Sequence, residues 1–410
     1  LVVAFSGGGD SLFLMLTVKA WADQAGRRLI AVTLDHRLQA AGAEWARWCG
    51  ERAGRLGVEH HTLVWQDPKP RTGLPAVART ARHGLIAEFA RSVGAIVILM
   101  GHTADDGLEA RLMRASGGST TPPREWSPSP IWPQGRGIFV LRPLVRLRRS
   151  DIRAALTVRG EPWIDDPFNL DPFSARARAR AELREAPAAG DDIAAQGAAV
   201  GEQLMLDAIL EDKAGALRIP RQARGGATQR AAPRFLGAAV LSASGAARPP
   251  RSDRLLRLAA ALDGHASVVA TLGGERIVAD AGCIILTREP GDMSRRSTAL
   301  SFALGVGDAI AWDGRFEIEA RVSGLSVRPL AGLASRLSPA ERNRLGRYTP
   351  AARRALPAIV DDRDRLTCPV LARDPRVATR PLVFARLAGA CGGLHDEAAL
   401  GRMAEAVTAS

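Results

Sequence analysis

Ser6-Gly7-Gly8-Gly9-Asp10-Ser11 follows the apolar run Leu1-Val2-Val3-Ala4-Phe5 and leads straight into Leu12-Phe13-Leu14-Met15-Leu16. A glycine turn between a buried strand and a helix lets backbone N–H groups close on phosphate oxygens at the helix N-terminus. The spacing is neither GxGxxG nor the GxxxxGK pattern of a γ-phosphate loop. Three glycines bounded by serines offer several donors and no lysine, which suits a pyrophosphate that departs. The competing reading is a plain tight turn. Asp10 would repel phosphate unless Mg²⁺ intervenes, so its expected role is to reach the metal or a positively charged substrate.

Outward from that loop, short apolar runs alternate with amphipathic stretches. Strands are predicted over 1–5, 29–34, 60–65 and 95–100, and helices over 12–23, 41–56 and 77–93. Strands separated by helices of this length predict an α/β fold, a doubly wound parallel sheet covered on both faces. The pattern changes after about Arg184. A helical stretch over 193–210, an Arg/Gln/Gly/Pro stretch over 219–234 and a short helix over 255–262 indicate a mostly helical accessory module, with short alternating strands over 267–287. A charged connector over 289–296 precedes a small α+β module with strand-like 309–322, a helix over 338–345 and a further segment over 358–370. The expected domains are thus 1–184, 185–288 and 297–410.

The chain of 410 residues carries a formal charge of +13, almost all the excess being arginine, and a sequence pI near 11.0. Arginine favours bidentate phosphate contacts, so a polyanion is the expected partner, with genomic arginine bias as the competing explanation. Cys49, Cys283, Cys368 and Cys391 lack metal-module spacing, which fits a reducing, cytoplasmic setting rather than a disulfide framework. The apolar runs fall far short of the roughly 20 residues of a membrane span, so no membrane partner is expected. The chain begins at Leu1 inside a strand pattern, so preceding residues are expected and a targeting segment is left open.

Six motifs in order over the first part of the chain resemble those of the tRNA(Ile)-lysidine synthetase family, within the PP-loop ATP pyrophosphatase superfamily. Ser6 to Ser11 is similar to SGGxDS, Thr33-Leu34-Asp35-His36-Arg37-Leu38 to VDHGLR, and Ala78 to His83 to ARxxRY. Gly101-His102-Thr103-Ala104-Asp105-Asp106-Gly107-Leu108-Glu109 resembles GHHxDDQxET, and Arg142-Pro143-Leu144-Val145 resembles RPLL. Trp163 to Asp171, with Arg176 and Arg180, resembles WxxDPSNxDxxxxRNxxR. The departures are Arg37 for Gly, His83 for Tyr, Thr103 for His, Gly107 for Gln, Ala110 for Thr, Phe168 for Ser and Ala177 for Asn. Later segments such as Trp312-Asp313-Gly314-Arg315-Phe316 resemble the family's accessory domains only loosely.

The resemblance implies ligation of free L-lysine to C2 of the wobble cytidine of a tRNA(Ile) with a CAU anticodon, with ATP and Mg²⁺. It places the lysine contacts at Asp106 and Glu109. On a helix beginning after Gly101, His102, Asp106 and Glu109 would share one stripe. The competing reading is a helix N-terminus collecting acids for its dipole. Ser6, Gly7, Gly8, Gly9, Asp10, Ser11, Asp35 and His36 are the expected nucleotide site, with Asp10 and Asp35 as metal candidates. Arg79 or Arg82 and Arg176 or Arg180 are expected at the α-phosphate or on tRNA. Asp35 could equally be a strand-ending turn residue, His102 a structural hydrogen-bonder, and the arginines solvated surface. Another PP-loop ligase acting on a small molecule, or a tRNA-binding relic, are the alternatives. A tRNA thiolase would want paired cysteines, and Cys49 stands alone.

Overall fold

The computed structural model describes residues 1–117, 122–165, 178–180, 182–183, 210–211, 214–221, 232–263, 266–296 and 298–391. By contact density the chain divides into two units, Leu1–Asp191 and Asp192–Ser410.

In the first unit β1 (Val2–Ala4), β2 (Ile30–Asp35), β3 (Glu59–Val64), β4 (Val97–Leu99), β5 (Trp126–Pro128) and β6 (Phe139–Leu141) form one sheet in the order β3-β2-β1-β4-β6-β5. All pairings are parallel except β5 with β6, so the sheet is parallel with one antiparallel edge strand. The alternation of Val2 and Val3 in β1 explains why both faces need cover. Val3 joins Leu12, Met15 and Cys49 under α1 (Gly9–Gln24) and α2 (Gly42–Arg55), with Ile152 and Leu156 of α5 (Arg149–Val158). Val2 joins Ile30, Ile98 and Val140 against Ile86, Ala87 and Ala90 of α3 (Leu74–Ser92). A further helix, α4 (Ala104–Ala115), follows β4.

The chain order sets where a ligand can go. From β1 it runs outward through β2 and β3, then returns to the other side of β1 as β4. The loops that follow β1 and β4 therefore leave the sheet in different directions and open a crevice between them, the place where open α/β sheets bind ligands.

In the second unit the expectation of a mostly helical module over 185–288 is too simple. The described residues there include a five-stranded antiparallel sheet in the order β7-β8-β11-β10-β9, from β7 (Leu210–Glu211), β8 (Leu217–Pro220), β9 (Val268–Leu272), β10 (Glu275–Ala279) and β11 (Cys283–Arg288). Helices Ala232–Ser244 and Ser252–Leu262 accompany it, the former starting within the stretch read as Arg/Gln/Gly/Pro-rich. The expected helix over 193–210 lies outside the described residues apart from Leu210. The connector over 289–296 contains a short helix, Pro290–Arg295, capped by Glu289. Beyond it, β13 (Ala309–Trp312), β14 (Phe316–Ala320) and β18 (Val377–Pro381) form one small sheet. Strands β12 (Phe302–Ala303), β15 (Leu325–Pro329), β16 (Pro357–Asp361) and β17 (Leu366–Thr367) form another. Together with its helices this is the α+β composition expected after residue 297.

Candidate active site

The glycine loop is the turn from β1 into α1, and each glycine has a different reason to be there. Gly7 has φ +81°, and a Cβ on it would lie 2.6 Å from Ile164 Cδ1 and 3.0 Å from Cys49 Sγ. Gly8, the N-cap of α1, has ordinary extended angles of φ −68° and ψ 157°. A Cβ there would meet its nearest atoms only at 3.7 and 3.9 Å. The protein itself thus demands glycine at 7 and tolerates a side chain at 8. Ser11 holds the loop: its hydroxyl donates to Gly8 O (2.9 Å) and accepts from the Ser6 N–H (3.2 Å). The N–H groups of the first turn of α1 then point into the crevice, the arrangement that favours a phosphate. The start of the sixth motif comes to the same loop, since the Ile164 N–H donates to Gly7 O at 2.9 Å.

The loop after β4 presses on this one. A Cβ on Gly101 would lie 3.0 Å from Asp10 O and 3.2 Å from Ser11 Cα, so glycine lets the two loops touch backbone to backbone. His102 precedes the helix rather than sharing its acidic stripe, because α4 starts at Ala104 with Thr103 as N-cap. Asp106 accepts from the Thr103 N–H (2.8 Å) and hydroxyl (3.0 Å), completing a capping box. The competing reading of Asp106 as a helix-start acid is therefore part of the truth. Glu109, a turn further in, is 1% exposed and outside the cap.

What gathers these acids is a residue that the sequence reading passed over. Arg149, the first residue of α5, donates from Nε to Asp10 Oδ2 (3.0 Å) and from Nη1 to Glu109 Oε1 (3.1 Å). Its Nη2 lies 3.5 Å from Asp106 Oδ2, and its backbone N–H donates to Asp105 Oδ2 (2.7 Å). Arg180 Nε donates to the same Glu109 oxygen at 2.7 Å. Burial pushes the Asp10 carboxyl above its usual range despite the pull of Arg149. A signal was available in sequence: Arg148 and Arg149 stand at a helix start, where cations oppose the dipole and so need another reason.

Beside this acidic cluster lies a basic one. Burial and the nearby Arg82, Arg79 and Arg142 push the His83 imidazole down to about 2, so it is neutral. His102 is part of that surrounding. His36 is likewise pushed down by burial and by Arg82 and Lys69. Arg79 and Arg82 are thus brought near the residue that replaces the family's tyrosine. Asp35 ends β2 and its Oδ1 accepts from the Arg37 N–H at 2.8 Å, the turn role that competed with metal binding. Arg176 lies outside the described residues. Burial pushes the Cys49 thiol up to about 11, which removes it as a nucleophile. Each metal candidate has one carboxylate oxygen committed, Asp10 Oδ2 to Arg149 and Asp35 Oδ1 to its own turn, and one hard oxygen left of the kind Mg²⁺ takes.

Residues 1–186 match the family model described as a PP-loop domain. A tRNA(Ile)-lysidine synthase of Caulobacter vibrioides is 43% identical, covering 97% of this chain and 94% of its own. That of Hyphomonas neptunium is 34% identical over 71% of this chain and 82% of its own, and that of Brucella anthropi 33% identical over 77% and 73%. Among solved structures, a U34-tRNA thiolase of Methanococcus maripaludis is similar over 45% of this chain and 65% of its own, at 13% identity and a TM-score of 0.38. With a relative this similar along nearly its whole length, the chain belongs to the tRNA(Ile)-lysidine synthase family.

Proposed function

We propose that this protein ligates L-lysine to C2 of the wobble cytidine of a tRNA(Ile) with a CAU anticodon, converting ATP to AMP and pyrophosphate. The observation that carries this reading is the meeting of the glycine loop, Gly101 and the acids Asp10, Asp106 and Glu109 in one crevice. On this reading the glycine loop is the phosphate end and the acids are the ammonium end.

In the first step cytidine O2 attacks the α-phosphorus of ATP, and the bond to the bridging oxygen of pyrophosphate breaks. Negative charge grows on the departing group, toward which the N–H groups at the start of α1 point. Arg79 and Arg82 supply cations for the α-phosphate, with Arg176 and Arg180 as the further candidates. Bound Mg²⁺, with Asp10 as a protein ligand, would shield the phosphate charge. In the second step the lysine ε-nitrogen attacks C2, and the C2–O2 bond breaks to release AMP. An amine of pKa about 10.4 must first give up a proton, and Asp106 or Glu109 is placed to orient the ammonium and accept it. The segments 185–288 and 297–410 would hold the tRNA through phosphate contacts made by their arginines. In that case affinity falls steeply with salt, and a chain ending near residue 191 loses most of that slope; a slope unchanged by truncation argues against it.

The test follows from the difference between Gly7 and Gly8. Gly8→Val leaves the fold intact by circular dichroism, because the space is open, and abolishes ATP binding, because the side chain fills the phosphate approach. Undiminished ATP affinity in the folded variant would remove the loop from the nucleotide site. Pyrophosphate release from the unaltered protein should require the tRNA; release with a small molecule in its place would point to a different PP-loop ligase.

A further inference from the structure

Arg149 occupies the place where the two ends of the crevice meet. Its guanidinium reaches Asp10 on α1, whose N-terminus is the phosphate end, and Asp106 and Glu109 on α4, the ammonium end. Its main chain is pinned by the N–H bond to Asp105 (2.7 Å), and Arg148 Nη2 lies 3.1 Å from the other oxygen of that residue. The helix start is therefore fixed, while the side chain beyond it has rotatable bonds and is 19% exposed. Glu109 beneath it is sealed at 1% exposed. In this arrangement the acids assigned to lysine are already engaged by a cation of the protein's own. An ammonium ion seeks the same oxygens as the guanidinium, and each would lose by sharing them.

The guanidinium has a second attraction close by. A polyphosphate at the α1 N-terminus lies next to Asp10, on which Arg149 Nε already rests. Arginine pairs with phosphate oxygens at least as well as with carboxylates, through the same bidentate fork. A side chain anchored at its backbone and poised between two anionic groups is a two-position element. Its equilibrium can be shifted by whichever ligand favours one position.

Building on the lysine-ligation reading, we propose that Arg149 is a positioning residue coupling the two ends of the site. Without nucleotide it keeps Asp106 and Glu109 closed; nucleotide phosphates draw its guanidinium away and open them to the lysine ammonium. Lysine is then favoured after ATP, so the amine enters a site that already holds the nucleotide needed to activate the cytidine. Arg180 stays on Glu109 and keeps that carboxylate oriented during the exchange.

The experiment measures L-lysine binding to the full chain by calorimetry, with and without a non-hydrolysable ATP analogue and Mg²⁺, for the unaltered protein, Arg149→Gln and Arg149→Lys. In the unaltered protein the analogue should tighten lysine binding by about tenfold or more, and lysine should tighten analogue binding by the same factor, as linkage requires. Arg149→Gln should erase the difference by raising lysine affinity in the nucleotide-free state, a gain that loss of a merely structural support would not produce. Arg149→Lys, with one compact charge instead of a fork, should retain part of the coupling. If folded Arg149→Gln instead binds lysine more weakly with and without nucleotide alike, Arg149 is a static clamp and the proposal fails. Absence of mutual enhancement in the unaltered protein overturns it even if the glutamine variant does not fold. If the unaltered protein binds the analogue but no lysine under either condition, the lysine assignment itself falls, and the proposal with it.

Discussion

Two arginine–carboxylate clusters, one in each unit, put the same groups to opposite uses. In the second unit Arg288 Nε (3.0 Å), Arg315 Nε (2.8 Å) and Arg296 Nη1 (3.3 Å) converge on Asp313. The side chains of Asp313, Arg288 and Arg315 are at most 1% exposed. Further guanidinium donors are taken up by backbone carbonyls, Arg288 Nη1 on Gly274 O and Arg315 Nη2 on Ala355 O, both at 2.6 Å. Glu275 is buried beside them, its carboxyl pushed up to about 8 by burial, so it mostly keeps its proton at neutral pH. Asp313 itself forms the tight turn between β13 and β14, with φ +49° followed by Gly314 at +67°. This cluster ties Trp312 and Phe316, both in the core, to β11. In the first unit the acids sit on the tips of α1 and α4, at the edge of a crevice, and the arginine that joins them is partly exposed. A sealed ion network serves as scaffold; an open one at a strand-order switch point can exchange a protein cation for a substrate's.

The largest effect should come from breaking the sealed network. Asp313→Ala leaves Arg315 buried without its counter-ion and Arg288 with Asp292 as its remaining carboxylate partner, for which about 3–5 kcal/mol of lost stability is expected. Denaturant unfolding measures it. A loss under about 1 kcal/mol would mean that water reaches the cluster and that the contrast with the first unit is one of degree.

The open cluster should respond in chemistry more than in stability. Glu109→Gln removes a charge from the ammonium end while keeping shape, and kcat/KM for lysine should fall by about 100-fold, equivalent to about 2.7 kcal/mol. KM for ATP should move by less than about threefold, and the melting temperature by only a few degrees. Equal losses for lysine and ATP, or a loss of stability alone, would put Glu109 with the scaffold acids instead.

This contrast also marks what the sequence made legible. The strands and helices around the glycine loop are readable because apolar runs and amphipathic stretches alternate cleanly there, and the six motifs name Asp10, Asp106 and Glu109 directly. For Arg149 the sequence offers at most a cation at a helix start; its partners lie 139, 43 and 40 positions away and only the fold brings them together. Thr103 is a departure from the motif beside charged residues, yet it is the N-cap of α4, its N–H and hydroxyl both donating to Asp106 Oδ2. A helix starting directly after Gly101 puts His102 on the acidic stripe, whereas α4 starts two residues later, at Ala104. In the second unit, short strands such as Leu217–Pro220 pair with partners more than sixty residues on, so local pattern understated the sheet.

The smallest expected effect compares two residues with nearly the same backbone. Asp313 and Arg37 have φ of +49° and +50°, a region that costs a residue with a Cβ about 1–2 kcal/mol. At Asp313 three guanidiniums offset that cost, and the side chain cannot be removed without exposing them. Arg37 is exposed, and the bond that shapes its turn, from its N–H to Asp35 Oδ1 at 2.8 Å, uses the backbone alone. Glycine stands at this place in the motif that the stretch resembles. Arg37→Gly should therefore keep the turn and relieve the backbone. Part of that gain is returned through the greater chain entropy of glycine in the unfolded state, leaving a net stabilisation of about 0.5–1 kcal/mol. Urea unfolding resolves a change of this size, and kcat/KM for ATP should stay within about twofold because Asp35 and His36 keep their places. Destabilisation by Arg37→Gly would show that the arginine side chain holds this rim of the crevice, as the guanidiniums hold Asp313, and the two turns would then differ only in how deeply their ion pairs are buried.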